Sequence, residues 1–328
     1  MVDAASERAL TSLLATVRLR ATIFGASELT APWGVSTGPL PSYACYVVPK
    51  GSAVLVARGV RRALTISAGG VALVRAGVGH ELKDSPATRA VPFERLRAKA
   101  GDTALFRNGG AGARTRIICG MLELDDPDRA LFDTAFPKTV ILTSEDLSEA
   151  TRHLIAALAS EATHRNGGTS LVLTRLAEVL FLQVVRACAA RDVRATGWLR
   201  GIGHPAIARA LTAIHDAPEE AWTLERLASK ASMSRSTFAS TFRSVVGEPP
   251  FAYVTAWRMR NAARSLASSD ESVKAIAAAA GYGSDEAFSR AFRAWAGVPP
   301  GAYRAQSRAR ERQPDHSRRE LQAGRAML

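Results

Sequence analysis

The chain has 328 residues, with 43 Lys and Arg against 30 Asp and Glu, a formal net charge of +13 and 47% hydrophobic residues. That length suits two domains, and the charge suits a polyanionic partner. Cys45, Cys119 and Cys188 form no C-x-x-C pair, which speaks against a metal finger and fits a reducing cytoplasm, and no apolar run or leader-like core suggests a membrane partner.

From residue 22 to 135, short β-type runs alternate with turn signals. Ala44 to Val48, Ala53 to Val56, Ala63 to Ile66 and Val71 to Val74 are separated by Pro49-Lys50-Gly51, Arg58-Gly59 and Ala68-Gly69-Gly70. Such spacing predicts an antiparallel barrel or sandwich. Trp33, Tyr43, Tyr46 and His80 are candidates to line an effector site inside it, because small-molecule sites combine aromatic walls with a few polar groups; the alternative is that they are core. His80 stands alone, with no H-x-H beside it, and Glu81 would point to the opposite face of a strand. A metal centre needs several converging ligands, so neither a metal nor any other cofactor is expected, and no catalytic residues are assigned.

Residues 145 to 195 carry the apolar stripes of helices, through Leu147, Leu154 and Leu158 and then Leu171, Leu173, Leu176, Leu180 and Val184, broken at Asn166-Gly167-Gly168. Thr196-Gly197 to Gly203-His204-Pro205 reads as a linker, with His204-Pro205 opening the next helix.

The last third contains one pattern twice. Ser234, Phe238, Phe242-Arg243, Gly247, Pro249-Pro250 and Tyr253 recur as Ser284, Phe288, Phe292-Arg293, Gly297, Pro299-Pro300 and Tyr303. In the first copy Thr223 caps a short helix whose Leu224, Leu227, Ala228 and Ala231 share one face. A break follows, Ser234 caps a second helix with Phe238 and Phe242 on one side, and Gly247 ends it. That is a helix-turn-helix. The second copy repeats it, with Asp285 and Glu286 in the first turn of its second helix, where acids suit the dipole. Phe251 to Ala267 reads as one continuous helix between the copies, a rod of roughly 25 Å at 1.5 Å per residue. It could hold two recognition helices about one DNA turn, roughly 34 Å, apart.

These residues resemble the AraC/XylS family of transcription regulators. The resemblance is carried by SMSRSTFASTFRSVVGEPPFAYVTAWRMRNAARSL and IAAAAGYGSDEAFSRAFRAWAGVPPGAYR, which contain the pattern G-Y-x-S-x-x-x-F-x-R-x-F-[RK]-x-x-x-G-x-x-P-x-x-[YF]-R. It implies a seven-helix domain reading two successive major-groove segments. Base-facing positions would be Arg235, Ser236, Ala239 and Ser240 in the first module and Asp285, Glu286 and Arg290 in the second, with Ser234 and Ser284 at the caps. Arg243 and Arg293 would touch phosphate or pack. The first recognition helix departs from relatives, which often carry long Arg or Gln side chains there; its short ones suggest apolar reading, such as a thymine methyl by Ala239. Arg290 is the candidate for a bidentate contact to guanine, the alternative being an ion pair with Asp285 or Glu286 or a phosphate contact.

The stretch AGGVALVRAGVGHEL resembles a cupin motif, with Gly70 where Asp is usual and Arg75 where Pro is usual. The expected architecture is therefore α+β. The resemblance implies a cupin-like antiparallel barrel (1–136) that senses a small molecule, a helical segment (137–196) that forms a homodimer, the alternative being that it packs on the barrel of its own chain, and an all-α double helix-turn-helix domain (203–305) that binds double-stranded DNA. A disordered basic tail (306–328) follows. The basic excess is shared, with +7 in residues 197–328 and +6 in the rest, so the repeat and not the charge carries the DNA reading. The function implied is a cytoplasmic transcription regulator, not an enzyme, which activates in concert with RNA polymerase. The alternatives are a constitutive regulator with a ligand-free dimerisation barrel, and a metal-cupin enzyme fused to a DNA-binding domain.

Overall fold

Alternating apolar residues and turn glycines do produce strands in the first half, and helical spacing produces helices in the second. The computed structural model describes residues 4–100, 105–164, 167–191 and 196–312. It opens with α1 (Ala4–Leu14), β1 (Leu19–Thr30), β2 (Gly34–Thr37), β3 (Tyr43–Lys50), β4 (Ser52–Ala57), β5 (Leu64–Ser67), β6 (Gly70–Val74) and β7 (His80–Lys83). Next come β8 (Val91–Pro92), α2 (Phe93–Ala100), β9 (Leu105–Gly109), β10 (Arg114–Leu124), α3 (Asp126–Ala135), β11 (Thr139–Leu142), α4 (Glu149–Glu161) and α5 (Thr169–Arg191). The chain continues as α6 (Gly197–Ile202), α7 (Pro205–Asp216), α8 (Leu224–Ala231), α9 (Arg235–Val246), α10 (Pro250–Ser268), α11 (Val273–Ala279), α12 (Asp285–Ala296) and α13 (Pro300–Arg312).

The strands form two sheets, ordered β11-β6-β3-β10-β1-β9 and β5-β4-β7-β2-β8. The expected closed barrel is corrected to an open sandwich, because among the described residues no ladder joins the edge strands of one sheet to those of the other. Nor is it purely antiparallel: β1 pairs β9, and β2 pairs β8, in parallel. Leu29, Tyr46, Val48, Leu55, Ile66, Val74, Leu82 and Ile117, drawn from both sheets, share one core. The crossing from β3 to β4 turns on Gly51, at φ +83°, where a Cβ would lie 2.6 Å from the Arg114 carbonyl oxygen. At Gly70 a Cβ would lie 2.8 Å from the Ser67 carbonyl, which gives a steric reason for the missing Asp of the cupin motif. All three cysteines are free, and burial pushes each thiol up to about 12.

The chain divides into two units that do not follow chain order, unlike the contiguous division expected from sequence. One comprises residues 18–125 and 136–194; the other gathers α1, α3 and α6–α13. In the first unit, α5 packs on β1 and α4 on β3, so each of these helices lays a face on the chain's own sheet. The 137–196 segment is also not purely helical, since β11 extends the larger sheet.

In the second unit, α1 packs on α7, and α3 packs on α6 and α10. The stretch expected as linker is a helix of the core: Trp198, Leu199 and Ile202 of α6 are buried, and the Trp198 indole N–H donates to the Leu131 carbonyl of α3 at 3.0 Å. His204 and Pro205 open α7 as expected, with His204 capping it. Seven helices, α7 to α13, follow among the described residues. Residues 306–312 of the expected tail continue α13, and Arg308 donates to the Ser269 carbonyl at 2.9 Å just beyond α10. The rest of that tail, 313–328, lies outside the described residues.

Candidate nucleic-acid interface

Two amphipathic helices with buried Phe pairs leave two polar faces to water, and the repeat makes them equivalent. Ser234 caps α9 by accepting the Thr237 N–H, and Ser284 caps α12 by accepting the Ala287 N–H. Phe238, Phe242, Phe288 and Phe292 are fully buried. The ring centroids of Phe238–Phe242 and Phe288–Phe292 are 5.5 and 5.6 Å apart. Phe242 meets Tyr253 edge-on at 5.8 Å, and Phe292 meets Tyr303 at 5.4 Å. Gly247 and Gly297, at φ +90° and +76°, end the two helices in the left-handed region.

The turns before the two helices are equivalent too. The Met233 N–H donates to the Ala228 carbonyl at 2.9 Å, and the Tyr282 N–H to the Ala277 carbonyl at 3.0 Å. The left-handed residue is Ser232 (φ 57°) in one turn and Gly281 (φ 75°) in the other. The difference has a cause: a Cβ on Gly281 would lie 2.5 Å from the Glu219 carbonyl oxygen and 3.0 Å from the Glu219 Cα. The second turn thus presses against the loop that precedes α8 of the first module. Arg258 of α10 fastens the same junction. Its Nε donates to the Pro218 carbonyl at 2.6 Å, an Nη donates to the Glu220 carbonyl at 2.8 Å, and its guanidinium lies 6.0 Å from the Tyr282 ring centre. Sequence reasoning missed Arg258; its position on the helix between the copies was the only available signal. Gly281→Ala is expected to cost about 1–3 kcal/mol for the strained backbone alone, and to weaken binding to a two-part site. Gly283→Ala, with nothing within 4 Å of its Cβ, should stay within about 0.5 kcal/mol of wild type. Denaturant unfolding of both variants checks this.

The two outward faces differ in what their side chains already hold. Ser234, Arg235, Ser236, Ser240 and Arg243 are exposed and Ala239 half-buried on the first. There Arg235 is bound to Glu225 at 2.6 Å, Ser236 lies 3.3 Å from the Ser234 hydroxyl, and the Ser240 hydroxyl donates to the Thr237 carbonyl at 3.0 Å. The Arg235 bond also holds the Glu225 carboxyl below its ordinary pKa. On the second face Ser284, Asp285, Glu286, Arg290 and Arg293 are all exposed. Among the described residues no ion pair joins Arg290 to Asp285 or Glu286. The second helix thus presents Arg290 without an ion pair to its acidic neighbours, while on the first Arg235 is committed to Glu225 of α8 and Ser240 to its own helix.

The candidate effector residues separate. Trp33 and Tyr46 lie in the core between the sheets, and His80 lies against Tyr46, with ring centroids 5.4 Å apart. Tyr43, three residues before Tyr46, falls on the other face of β3 and outside that core. Trp33, Tyr46 and His80 are only 3%, 7% and 4% exposed. His80 Nδ1 lies 3.0 Å from the Val78 carbonyl oxygen, and Nε2 lies 2.5 Å from the Tyr46 hydroxyl. Burial lowers the His80 pKa and raises that of Tyr46, so both are neutral near pH 7. Because the Nδ1 proton is needed for the carbonyl, Nε2 accepts from the tyrosine and its lone pair is taken. The Trp33 indole N–H is buried without a hydrogen-bond partner. Among the described residues no group of three or more His, Cys, Asp or Glu could hold a metal ion, and no helix is long and apolar enough to cross a membrane.

Residues 8–190 match a family described as cupin, and residues 227–306 match a helix-turn-helix domain family. A putative AraC-like transcription regulator of Streptomyces lividans is 32% identical over 267 residues, which is 78% of this chain and 84% of the relative. A second, from Streptomyces antibioticus, is 34% identical over 230 residues, 68% of this chain and 73% of the relative. Among solved structures, the DNA-binding domain of AdpA in complex with a target DNA is 38% identical and aligns with 32% of this chain and 96% of its own, at a TM-score of 0.31.

Proposed function

We propose, from the premise that this chain belongs to the family of AraC-like transcription regulators with a cupin domain, that α9 and α12 read two neighbouring major-groove segments of one operator. The observation that carries this reading is the pair of equivalent, serine-capped helices, each with a polar outer face, at the two ends of one rod. The rod, α10, has 19 residues, about 28 Å at 1.5 Å per residue, which approaches one turn of DNA. Ser234, Arg235, Ser236, Ala239, Ser240 and Arg243 face the first segment in this reading. Ser284, Asp285, Glu286, Arg290 and Arg293 face the second. Selection of bound sequences from a random DNA pool, at a stated salt concentration, tests it. A two-part motif with about one-turn spacing is expected; enrichment of a single short motif would refute it.

The finer reading is that a small molecule bound between the sheets changes DNA affinity, in a cytoplasmic, non-enzymatic homodimer that activates with RNA polymerase. The polar Tyr46–His80 pair and the unpartnered Trp33 N–H inside an apolar core support a ligand there. The exposed Leu171, Val172 and Val179 on α5 support a second copy as partner. A ligand can move the equilibrium only by differential affinity for the two states. Repeating the selection with a cell metabolite extract tests the sensing; identical affinity and motif in both arms would favour the second reading, a constitutive regulator. The near-complete burial of Trp33, Tyr46 and His80 favours that second reading.

A further inference from the structure

We propose that Asp128 is a positioning residue of the DNA reader, which through Arg260 and Arg264 fixes the helix that spaces α9 from α12 and so sets the half-site spacing the chain accepts. The proposal rests on the two-module reading above. Asp128 lies on α3, far in sequence from either helix-turn-helix, yet it is fully buried in the unit that contains them. Its Oδ1 accepts from Arg260 Nε at 2.8 Å and lies 2.7 Å from Arg260 Nη2, and it accepts from Arg264 Nη2 at 2.9 Å. Arg260 Nη2 also donates to the Thr16 hydroxyl at 3.2 Å, beyond the end of α1, and the guanidinium lies 4.5 Å from the Trp257 ring centre.

Arg260 and Arg264 are one turn apart on α10 and so share a face. Arg260 sits at its middle and Arg264 one turn nearer its C-terminal end. On the N-terminal side, Tyr253 and Trp257 belong to the first module: Tyr253 touches Phe242, and Trp257 stacks on His215 of α7 at 3.9 Å between centroids. From Met259 onward the helix serves the second module: Met259, Ala262, Ala263 and Leu266 share a core with Phe288 and Phe292. A tilt of α10 about its midpoint therefore changes the placement of one recognition helix against the other.

One carboxylate here bridges two guanidinium groups on one helical face and offsets one of their two positive charges. Burial pulls the Arg260 pKa down and Asp128 opposes that. A buried ion pair is a weak source of stability compared with apolar packing, but its directional bonds fix one arrangement. Without Asp128, the buried Arg260 guanidinium loses its counter-charge, whereas Arg264 already reaches water in part, and a shift of α10 would bring Arg260 toward solvent. The carboxylate also ties α10 to α3, which the chain joins to β10 at one end and β11 at the other.

The test uses the full chain and the site that wild type selects from a random pool. Affinity is measured on that site and on versions with the half-sites moved about two base pairs closer or farther apart. Asp128→Asn is expected to lose about 2- to 30-fold on the selected spacing, the range of remote coupling effects, and to discriminate less between spacings. Asp128→Glu, which keeps the charge, should recover part of both. A folded Asp128→Asn protein with wild-type affinity and wild-type spacing preference overturns the proposal. If that variant does not unfold cooperatively, Arg264→Gln decides by the same readouts, since it leaves the Asp128–Arg260 bonds in place; a wild-type spacing profile there is equally fatal. A wild type with no spacing preference would sink the two-module reading itself, and this proposal with it.

Discussion

Phe288→Ala is expected to destabilise the protein by about 3–5 kcal/mol, the cost of truncating a fully buried Phe and leaving a cavity. Its ring is completely buried, in contact with Tyr282 edge-on at 5.6 Å and with Phe292. The same cavity opens against Ile276 and Ala277 of α11 and Ala263 of α10, which share its core. Few of these neighbours can collapse inward, because they sit on two other helices, α10 and α11, each held at its own ends. A loss of that size is a large part of a typical domain's net stability of about 5–15 kcal/mol. Denaturant unfolding followed by far-UV circular dichroism measures it. Phe238→Ala, at the equivalent position in the first module, should cost a similar amount. Ser289→Ala, on the next position of α12, should change stability by less than about 0.5 kcal/mol. If Phe288→Ala unfolds with wild-type midpoint and slope, the ring is not the core element its burial implies.

That pair of predictions was available from the sequence because the second half is written in local, periodic signals. The Phe residues four apart, the capping Ser234 and Ser284, and the terminal Gly247 and Gly297 each act within one or two turns of their own position. The helix between the copies was legible within a residue or so at each end, and so were four strands of the sandwich, from their turn glycines. What stayed hidden depends on contacts between distant segments. Nothing in the local pattern of residues 4–14 or 126–135 tells that α1 packs on α7 and α3 on α6 and α10, and not on the strands beside them. Asp128 is one acid among several in its stretch until Arg260 and Arg264 are placed next to it. The 196–202 stretch looked like a linker because of its glycines, although Trp198, Leu199 and Ile202 are a buried helical face. The long β1 was obscured by the register shift between Ile23 and Gly25, which interrupts the alternation that marks a strand. Among the site residues, exposure of the outer faces followed from the repeat. The bond between Arg235 and Glu225 did not, since they are on different helices.

That bond makes the two recognition helices unequal and leads to the sharpest functional prediction. Arg290 is exposed on α12 with no ion pair to its acidic neighbours, so its guanidinium can meet a base edge without first breaking a contact. Arg290→Ala is expected to weaken specific binding by about 1–3 kcal/mol, roughly 5- to 150-fold, and to relax the preference at one base position. Arg235→Ala should cost less, because in the wild type the Glu225 contact is lost when Arg235 turns to DNA. Glu225→Gln removes that competition and should tighten binding or leave it unchanged. The measurement is affinity on the selected operator, on operators substituted at each position of the second half-site, and on random DNA, all at one salt concentration. Loss of a phosphate contact weakens binding to every sequence alike, whereas loss of a base contact weakens binding only to the right one. Equal loss on operator and random DNA would therefore assign Arg290 to the backbone. A larger loss for Arg235→Ala than for Arg290→Ala would show that the specificity lies in the first module, despite its short side chains.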